Sequence, residues 1–555
     1  MVWSPNKIKQ TLEHILPTVQ KPGRYVGGEY NQIIKDWNTI QTKVALVFPD
    51  IYDLGMSNLG MTILYDLLNQ REDVLAERAY APWVDMEAAM QTAGMPLYSL
   101  ETKHPLSNFD IIGISLPYET LYTNTLNIMN LAGIPIKAKD RDGNNFPLIV
   151  AGGHATFNPE PMHAFIDAFV IGEGEEVIFE ILDVYQAWKK NGKTKNALLL
   201  SLSKIWGIYI PSLYKAHYLK DGTFSHIEKT AKQASLPIIK RIVPKLPPPT
   251  TKFIVPFIDI VHNRASIEIM RGCTRGCRFC HAGMVTRPVR ERPVEEIIQS
   301  IDEIIENTGF EEIGLLSLSS SDYTHVVELV EKLRERYLHK HLSISLPSLR
   351  IETVTVDLMD ALASDRRGGF TLAPEAGTER MRRIINKPVP MEQILSTTRE
   401  IYKHGWNTIK LYFMIGLPSE TLDDVQAIAD LCRTILHEGH KIIGNRAKVH
   451  IGVSTFVPKV HTPFQWVPLD TIERIREKQS LLKRKLHNPG LKLNLNKPEE
   501  TYLEAWLSRG DRRISEVIAI AWKNGAKFDA WKEHFNFQAW MDAFDIVGLN
   551  PSFYT

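Results

Sequence analysis

Three of the chain's four cysteines stand within eight residues, in the run Cys273-Thr274-Arg275-Gly276-Cys277-Arg278-Phe279-Cys280. Three thiolates in one short loop suit three irons of a cubane cluster and leave the fourth iron open to a small-molecule ligand. The alternative is a structural zinc knuckle, which needs a fourth ligand from His281 or a distant side chain. Cys432 lies far along the chain in an apolar helical context. A disulfide framework does not suit 555 residues with four cysteines.

Six arginines flank the run: Arg271, Arg275, Arg278, Arg287, Arg290 and Arg292. They can answer nearby acids and a carboxylate-bearing ligand, or line a nucleic-acid groove. The whole chain has 65 basic and 64 acidic residues, a net charge of +1. No global field therefore marks a nucleic-acid partner, which stays possible but not indicated by charge. Hydrophobic content of 44% is that of an ordinary globular protein. No apolar run is long enough to span a membrane, and the N-terminus lacks the apolar core of a signal peptide, so a cytoplasmic protein without membrane partners is expected.

The elements that must position the cysteines are apolar runs alternating with helical segments. From residue 265 onward, strands are expected at 266–270, 313–318, 342–346, 369–373, 408–415 and 449–456. Polar and glycine-rich motifs follow them: the cysteine run after the first, Ser317-Leu318-Ser319-Ser320-Ser321-Asp322 after the second and Pro347-Ser348-Leu349-Arg350 after the third. Ala373-Pro374-Glu375-Ala376-Gly377-Thr378-Glu379-Arg380 follows the fourth and Gly416-Leu417-Pro418-Ser419-Glu420 the fifth. Active sites of parallel α/β barrels lie at such strand ends. Lys410, Tyr412 and Met414 alternate along the fifth strand and so share one face, expected to line the cavity.

Upstream, further strands are expected at 44–49, 111–116, 148–153 and 168–172, apolar on both faces and separated by helical stretches. That pattern predicts a parallel, doubly wound (Rossmann-like) sheet. Its ligand would gather beyond the strand ends at Asn58, Ser115, Gly152, Gly153 and Gly172. Glycines there would admit the backbone close to something bulky.

The cysteine run, with the aromatic Phe279 just before its last cysteine, resembles the radical S-adenosylmethionine (SAM) superfamily. The resemblance implies that Cys273, Cys277 and Cys280 hold a 4Fe-4S cluster, that SAM chelates the free iron, and that SAM is cleaved reductively to methionine and a 5′-deoxyadenosyl radical. It places the Phe279 backbone against adenine and makes Ser317 and Ser319 candidates for the SAM amino group, although the acidic strand end of relatives is lacking. Glu375 falls to the ribose and Arg380 to the SAM carboxylate, unless the two pair with each other. The barrel is the six-unit partial (β/α)6 kind, and a one-electron reductant such as flavodoxin or ferredoxin is the implied partner. With no cysteines for an auxiliary cluster, a single catalytic cluster is expected.

The upstream domain resembles the cobalamin-binding domain of one large radical SAM subfamily, through its strand order, Gly152-Gly153 and Gly172-Glu173-Gly174-Glu175. The subfamily's Asp-x-His-x-x-Gly motif reads Asp53-Leu54-Gly55-Met56-Ser57-Asn58, so the cobalt-ligating histidine is missing. Cobalamin then binds without protein ligation, or the domain is a structural lid.

The expected organisation is an N-terminal extension over 1–40, the cobalamin-binding-like domain over 41–185, a linker over 186–255 bearing Pro247-Pro248-Pro249, the barrel over 256–470 and a helical C-terminal cap over 471–555. The expected reaction is cobalamin-dependent methyl transfer to an unknown substrate. Its alternatives are radical rearrangement or ring chemistry, and modification of RNA or the ribosome.

Overall fold

A computed structural model describes residues 3–143, 145–337, 342–353, 358 and 369–555. The chain divides into two compact units, residues 1–263 with 510–553, and residues 264–509 with 554–555.

In the first unit, β1 (Thr42–Phe48), β2 (Val74–Tyr80), β3 (Ile111–Ser115), β4 (Leu148–Gly152), β5 (Ala168–Val170) and β6 (Ile208–Tyr209) form one sheet in the order β2-β1-β3-β4-β5-β6. All pairings are parallel except the antiparallel edge strand β6. β2 is buried along its whole length and β1 at all but Lys43, because helices cover both faces. The strand order reverses between β1 and β3, where doubly wound sheets open a crevice at their strand ends.

The expected linker is part of this unit. Residues 186–255 hold the end of the helix Val177–Asn191, the helix Lys195–Leu202, β6, and an antiparallel hairpin of β7 (Tyr214–Tyr218) and β8 (Phe224–Lys229). The N-terminal extension is stitched down by buried ion pairs. Arg24 Nε lies 2.6 Å from Asp53, and Arg78 is held between Glu29 at 3.0 Å and Glu101 at 2.6 Å.

The expected C-terminal cap is divided. Residues 510–553 return to the first unit, where the helix Ile514–Lys523 packs on the helix Tyr122–Leu131 that follows β3. That explains why nearly every residue of Tyr122–Leu131 is buried. Phe528 N–H donates to Asn124 Oδ1 at 2.7 Å, and Asn124 donates in turn to Pro49 O at 2.8 Å. Trp531 Nε1–H donates to Asp50 Oδ1 at 3.1 Å, just past β1.

In the second unit, β9 (Ala265–Glu268) opens the barrel set, and a small pair, β10 (Met270–Arg271) with β11 (Arg290–Glu291), brackets the cysteine loop. Then come β12 (Glu312–Leu316), β13 (Ser343–Ser345), β14 (Phe370–Glu375), β15 (Thr408–Ile415), β16 (Lys448–Thr455) and β17 (Leu491–Leu495). The parallel ladders run β13-β12-β9 and β14-β15-β16-β17. All six expected barrel strands are therefore present, in the sequential order of a (β/α) barrel. Most of the connection from β13 to β14 lies outside the described residues. β17 is a seventh strand inside the expected helical cap. Its Leu491-Lys492-Leu493-Asn494-Leu495 alternates with period two, which a Lys- and Leu-rich composition disguises as helix. One face of β14–β17 packs on helices through Ile409, Leu411, Phe413, Val449, Ile451 and Val453.

Asp529 anchors the returning segment and yields a prediction. It is 4% exposed and accepts from Trp540 Nε1–H at 3.1 Å and Thr123 Oγ1–H at 2.9 Å. Burial pushes its carboxyl up to about 6 despite both hydrogen bonds. Because the folded value lies above the unfolded one, the associated stability is complete below the unfolded pKa and is lost as pH rises through about 6. Two pKa units correspond to at most about 3 kcal/mol. Asp529→Asn should therefore match the wild type near pH 4 and exceed it in thermal stability at pH 7.5, a gap measurable by calorimetry. A pH-independent gap would contradict this account.

Candidate functional site

The cysteine loop follows β9 and β10 and is laced from two sides. Gly272 has φ +91°, and a Cβ there would stand 2.6 Å from Pro288 O, so only glycine lets the strand turn under that carbonyl. Asn386 Nδ2 donates to Gly276 O at 2.9 Å, Arg278 N–H to Ile385 O at 3.0 Å, and Arg287 Nε–H to Cys273 O at 3.2 Å. The Phe279 ring packs among Ala376, Met381, Ile385, Leu417, Phe456 and Phe464, an apolar cluster at the ends of β14, β15 and β16. Its side chain is thus an anchor for the loop.

Cys280 caps the short helix His281–Val285, its Sγ accepting from Gly283 N–H at 3.3 Å. Burial pushes the Cys280 thiol up, Gly283 opposes this, and Cys277 and Cys273 push it up further. Three neighbouring thiolates therefore need a cationic counter-charge, which is what iron supplies, and the donor set fits the cluster. Among the described residues no three or more His, Cys, Asp or Glu side chains are drawn together tightly enough to hold a single metal ion. Cys432 is wholly buried in the helix Leu422–Ile443, where burial drives its thiol far up.

The strand-end residues named from sequence form networks with partners that spacing does not reveal. Ser317 Oγ meets Ser320 Oγ at 3.0 Å, and Ser319, 2% exposed, donates to Asp322 at 2.6 Å. Asp322 in turn pairs with Arg275 of the cysteine loop. Burial works against charge on Asp322, but the hydrogen bonds from Arg275 and Ser319 outweigh it and hold the carboxyl below the usual range. This acid, in the motif but assigned no role, is the acidic group of the second strand end.

Glu375 and Arg380 do not pair with each other. Glu375 adopts φ +67°, a left-handed conformation unusual for a side-chain-bearing residue, and accepts from Lys387 Nζ at 3.0 Å. Arg380 pairs with Asp424, which completes the capping box of the helix beginning at Leu422, and donates to Ser419 O at 2.9 Å, so it is tied to the loop after β15. Glu420, buried beyond β15, is locked by Lys478 at 2.7 Å.

Arg350 is the residue that sequence spacing undervalued. Its Nη1 stands 4.0 Å from Cys277 Sγ, its Nη2 2.6 Å from Glu352, and its buried Nε meets no partner among the described residues. Of the arginines flanking the cysteine run, Arg271 pairs with Glu268 at 2.8 Å and Arg292 with Glu296 at 2.7 Å.

In the first unit, Asn58 caps the helix Leu59–Asn69 by accepting from Met61 N–H at 3.0 Å, and Ser115 lies opposite Gly152 in the β3–β4 ladder. At two of the expected glycines the chain packs so closely that no side chain would fit. A Cβ on Gly153 would stand 2.5 Å from Leu116 O, and one on Gly172 would stand 2.2 Å from Arg241 O. Gly152 and Gly174 are uncrowded, their nearest side-chain atoms lying at 3.8 and 3.5 Å. Glycine at 153 and 172 is therefore required by the close packing of the chain on itself.

Residues 60–211 match the family described as radical SAM proteins, N-terminal, and residues 267–432 match the radical SAM superfamily. An uncharacterized protein of Methanocaldococcus jannaschii is 26% identical over 86% of this chain and 90% of its own length. A tRNA-2-methylthio-N(6)-dimethylallyladenosine synthase of Desulforamulus reducens is 24% identical, over 40% of this chain and 49% of its own. Among solved structures, the radical SAM methyltransferase TsrM of Kitasatospora setae, with cobalamin and a [4Fe-4S] cluster bound, aligns with TM-score 0.48 at 14% identity, covering 76% of this chain and 74% of that one. No helix among the described residues is long and apolar enough to cross a membrane.

Alanine at Cys273, Cys277 or Cys280 should abolish iron and sulfide uptake on anaerobic reconstitution, whereas Cys432→Ala should leave four irons per chain. Loss of iron through Cys432 alone would overturn the ligand set.

Proposed function

Because this chain belongs to the radical SAM superfamily, we propose that it is a methyltransferase using one 4Fe-4S cluster, SAM and cobalamin. The observation that carries the reading is the laced loop presenting Cys273, Cys277 and Cys280 at the end of the first strand of a parallel barrel set. When bound, the cluster and cobalamin supply an electron to SAM and a carrier for its methyl group.

The chain's own residues prepare the site. The loop is fixed by Asn386, Arg287 and the Phe279 anchor, so the three sulfurs keep their spacing without relying on the metal. Arg350 stands beside Cys277, where a donor stabilises thiolate charge. Lys387 orients Glu375, and Ser319 reaches Arg275 through Asp322, so the second strand end and the cysteine loop are held as one body. On this reading Glu375 serves the SAM ribose and the Ser317–Asp322 turn the SAM amino group, while a one-electron reductant of the flavodoxin or ferredoxin type completes the system.

The cobalamin part of the reading is supported by the doubly wound sheet, whose order β2-β1-β3-β4-β5 is that of cofactor-binding domains with a crevice at the β1/β3 switch. A second reading, in which the first unit is a structural lid without cobalamin, is supported by the backbone filling at Gly153 and Gly172 and by Trp531 seated on Asp50.

Incubation of the reconstituted protein with reductant, SAM and cell extract separates the two. The methyltransferase reading expects S-adenosylhomocysteine and 5′-deoxyadenosine together, the S-adenosylhomocysteine depending on added cobalamin. Cobalamin-independent 5′-deoxyadenosine without S-adenosylhomocysteine would leave the lid reading and another radical reaction.

A further inference from the structure

The face of β14–β17 that turns away from the helices is open and basic. Along β15 the residues of this face are Lys410, Tyr412 and Met414, all at least partly exposed. The registers Lys410↔His450 and His450↔Lys492 set three basic side chains in one row across three strands, with Lys448 one pleat away on the same face. Among the described residues none of the four is part of an ion pair. Burial lowers the pKa of His450, and Lys492, Lys410 and Lys448 lower it further, so all three lysines are close enough to be felt. Unanswered charge of one sign across one sheet face attracts a counter-anion.

Next to this row lies an aromatic platform. A Cβ on Gly452 would come within 2.9 Å of both Cδ1 and Cε1 of Tyr412, so the glycine lets the ring lie down on the neighbouring strand. The ring remains 49% exposed. A flat aromatic surface beside a cationic row is the pairing that holds a nucleotide: phosphate on the charges, base on the ring. From Lys410 to Met414 is four residues, about 13 Å of strand running toward the end where the cysteine motifs gather. A phosphate anchored on the row leaves the rest of the molecule pointing toward that end.

We propose that Lys410, His450 and Lys492, with Tyr412 lying over Gly452, form a substrate subsite for a phosphorylated compound with a planar ring, a nucleotide or a nucleotide unit of RNA. This deepens the reading that the barrel is the active site, yet it concerns binding alone and stands or falls without SAM cleavage.

The test is equilibrium dialysis on the full reconstituted chain, with SAM saturating so that the cofactor's adenine site is filled, and with no reductant present. The probes are uridine monophosphate, ribose 5-phosphate, uridine and decauridylate. Uridine monophosphate should bind more tightly than ribose 5-phosphate, uridine should bind least, and binding should weaken with added salt. Lys410→Ala with Lys492→Ala should weaken uridine monophosphate on the order of tenfold, while the Lys→Arg pair keeps it, with melting temperature and iron content unchanged. Tyr412→Ala should erase the advantage of uridine monophosphate over ribose 5-phosphate. Lysine-dependent binding far tighter for decauridylate assigns the subsite to RNA, and comparable binding of the two assigns it to a free nucleotide. Wild-type protein that binds no phosphorylated probe, or Lys410→Glu with Lys492→Glu binding as the wild type does, would overturn the proposal. Because SAM cleavage is not measured, a failed methyltransferase assay leaves this result intact.

Discussion

Three sulfur donors confined to eight residues repel one another as soon as they ionise, and the second unit is arranged around that constraint. The loop must be rigid before metal arrives, or its thiolates would spread apart. Rigidity comes from outside the loop: Pro288 O leaves room only for glycine at 272, Asn386 holds Gly276, and Phe279 packs, partly buried, among side chains at the ends of β14, β15 and β16. The charge is answered from outside by Arg350, which reaches Cys277 from the loop after β13, while Asp322 after β12 ties down Arg275 of the loop itself. Parallel strands can supply those contacts because they deliver successive loops to the same end.

The cysteine loop and the barrel were legible in the sequence because each has a dense local signal. The cysteine spacing is a ligand pattern, and the six strands are short apolar runs with polar ends. What local pattern could not reveal was the pairing of polar groups brought together from distant positions. Arg380 is committed to Asp424, forty-four residues on, and Glu375 to Lys387. Arg350 stands in the motif after the third strand, but it lies seventy-three residues from Cys277 and nothing in the spacing marks that pairing. β17 was hidden by composition, since its alternating leucines are a strand signal within a Lys- and Leu-rich segment that reads as helix.

In the first unit, glycine at 153 and 172 is demanded by positive φ angles and by the carbonyls of Leu116 and Arg241, a requirement of the fold itself that spacing does not reveal. A sequence shows that a backbone approach is close and does not show what approaches. The return of residues 510–553 to this unit was equally invisible, because Trp531–Asp50 and Asp529–Thr123 join positions separated by more than four hundred residues. The N-terminal ion pairs of Arg24 and Arg78 follow the same rule.

The central claim is that three protein thiolates leave one iron of a single cluster for SAM. Mössbauer spectroscopy of protein reconstituted with ⁵⁷Fe, with and without SAM, tests it directly. The account predicts four irons per chain, one of which changes its isomer shift and quadrupole splitting when SAM is added while the other three stay as they were. Four irons that are equivalent and indifferent to SAM would mean a fourth protein ligand, and would contradict it.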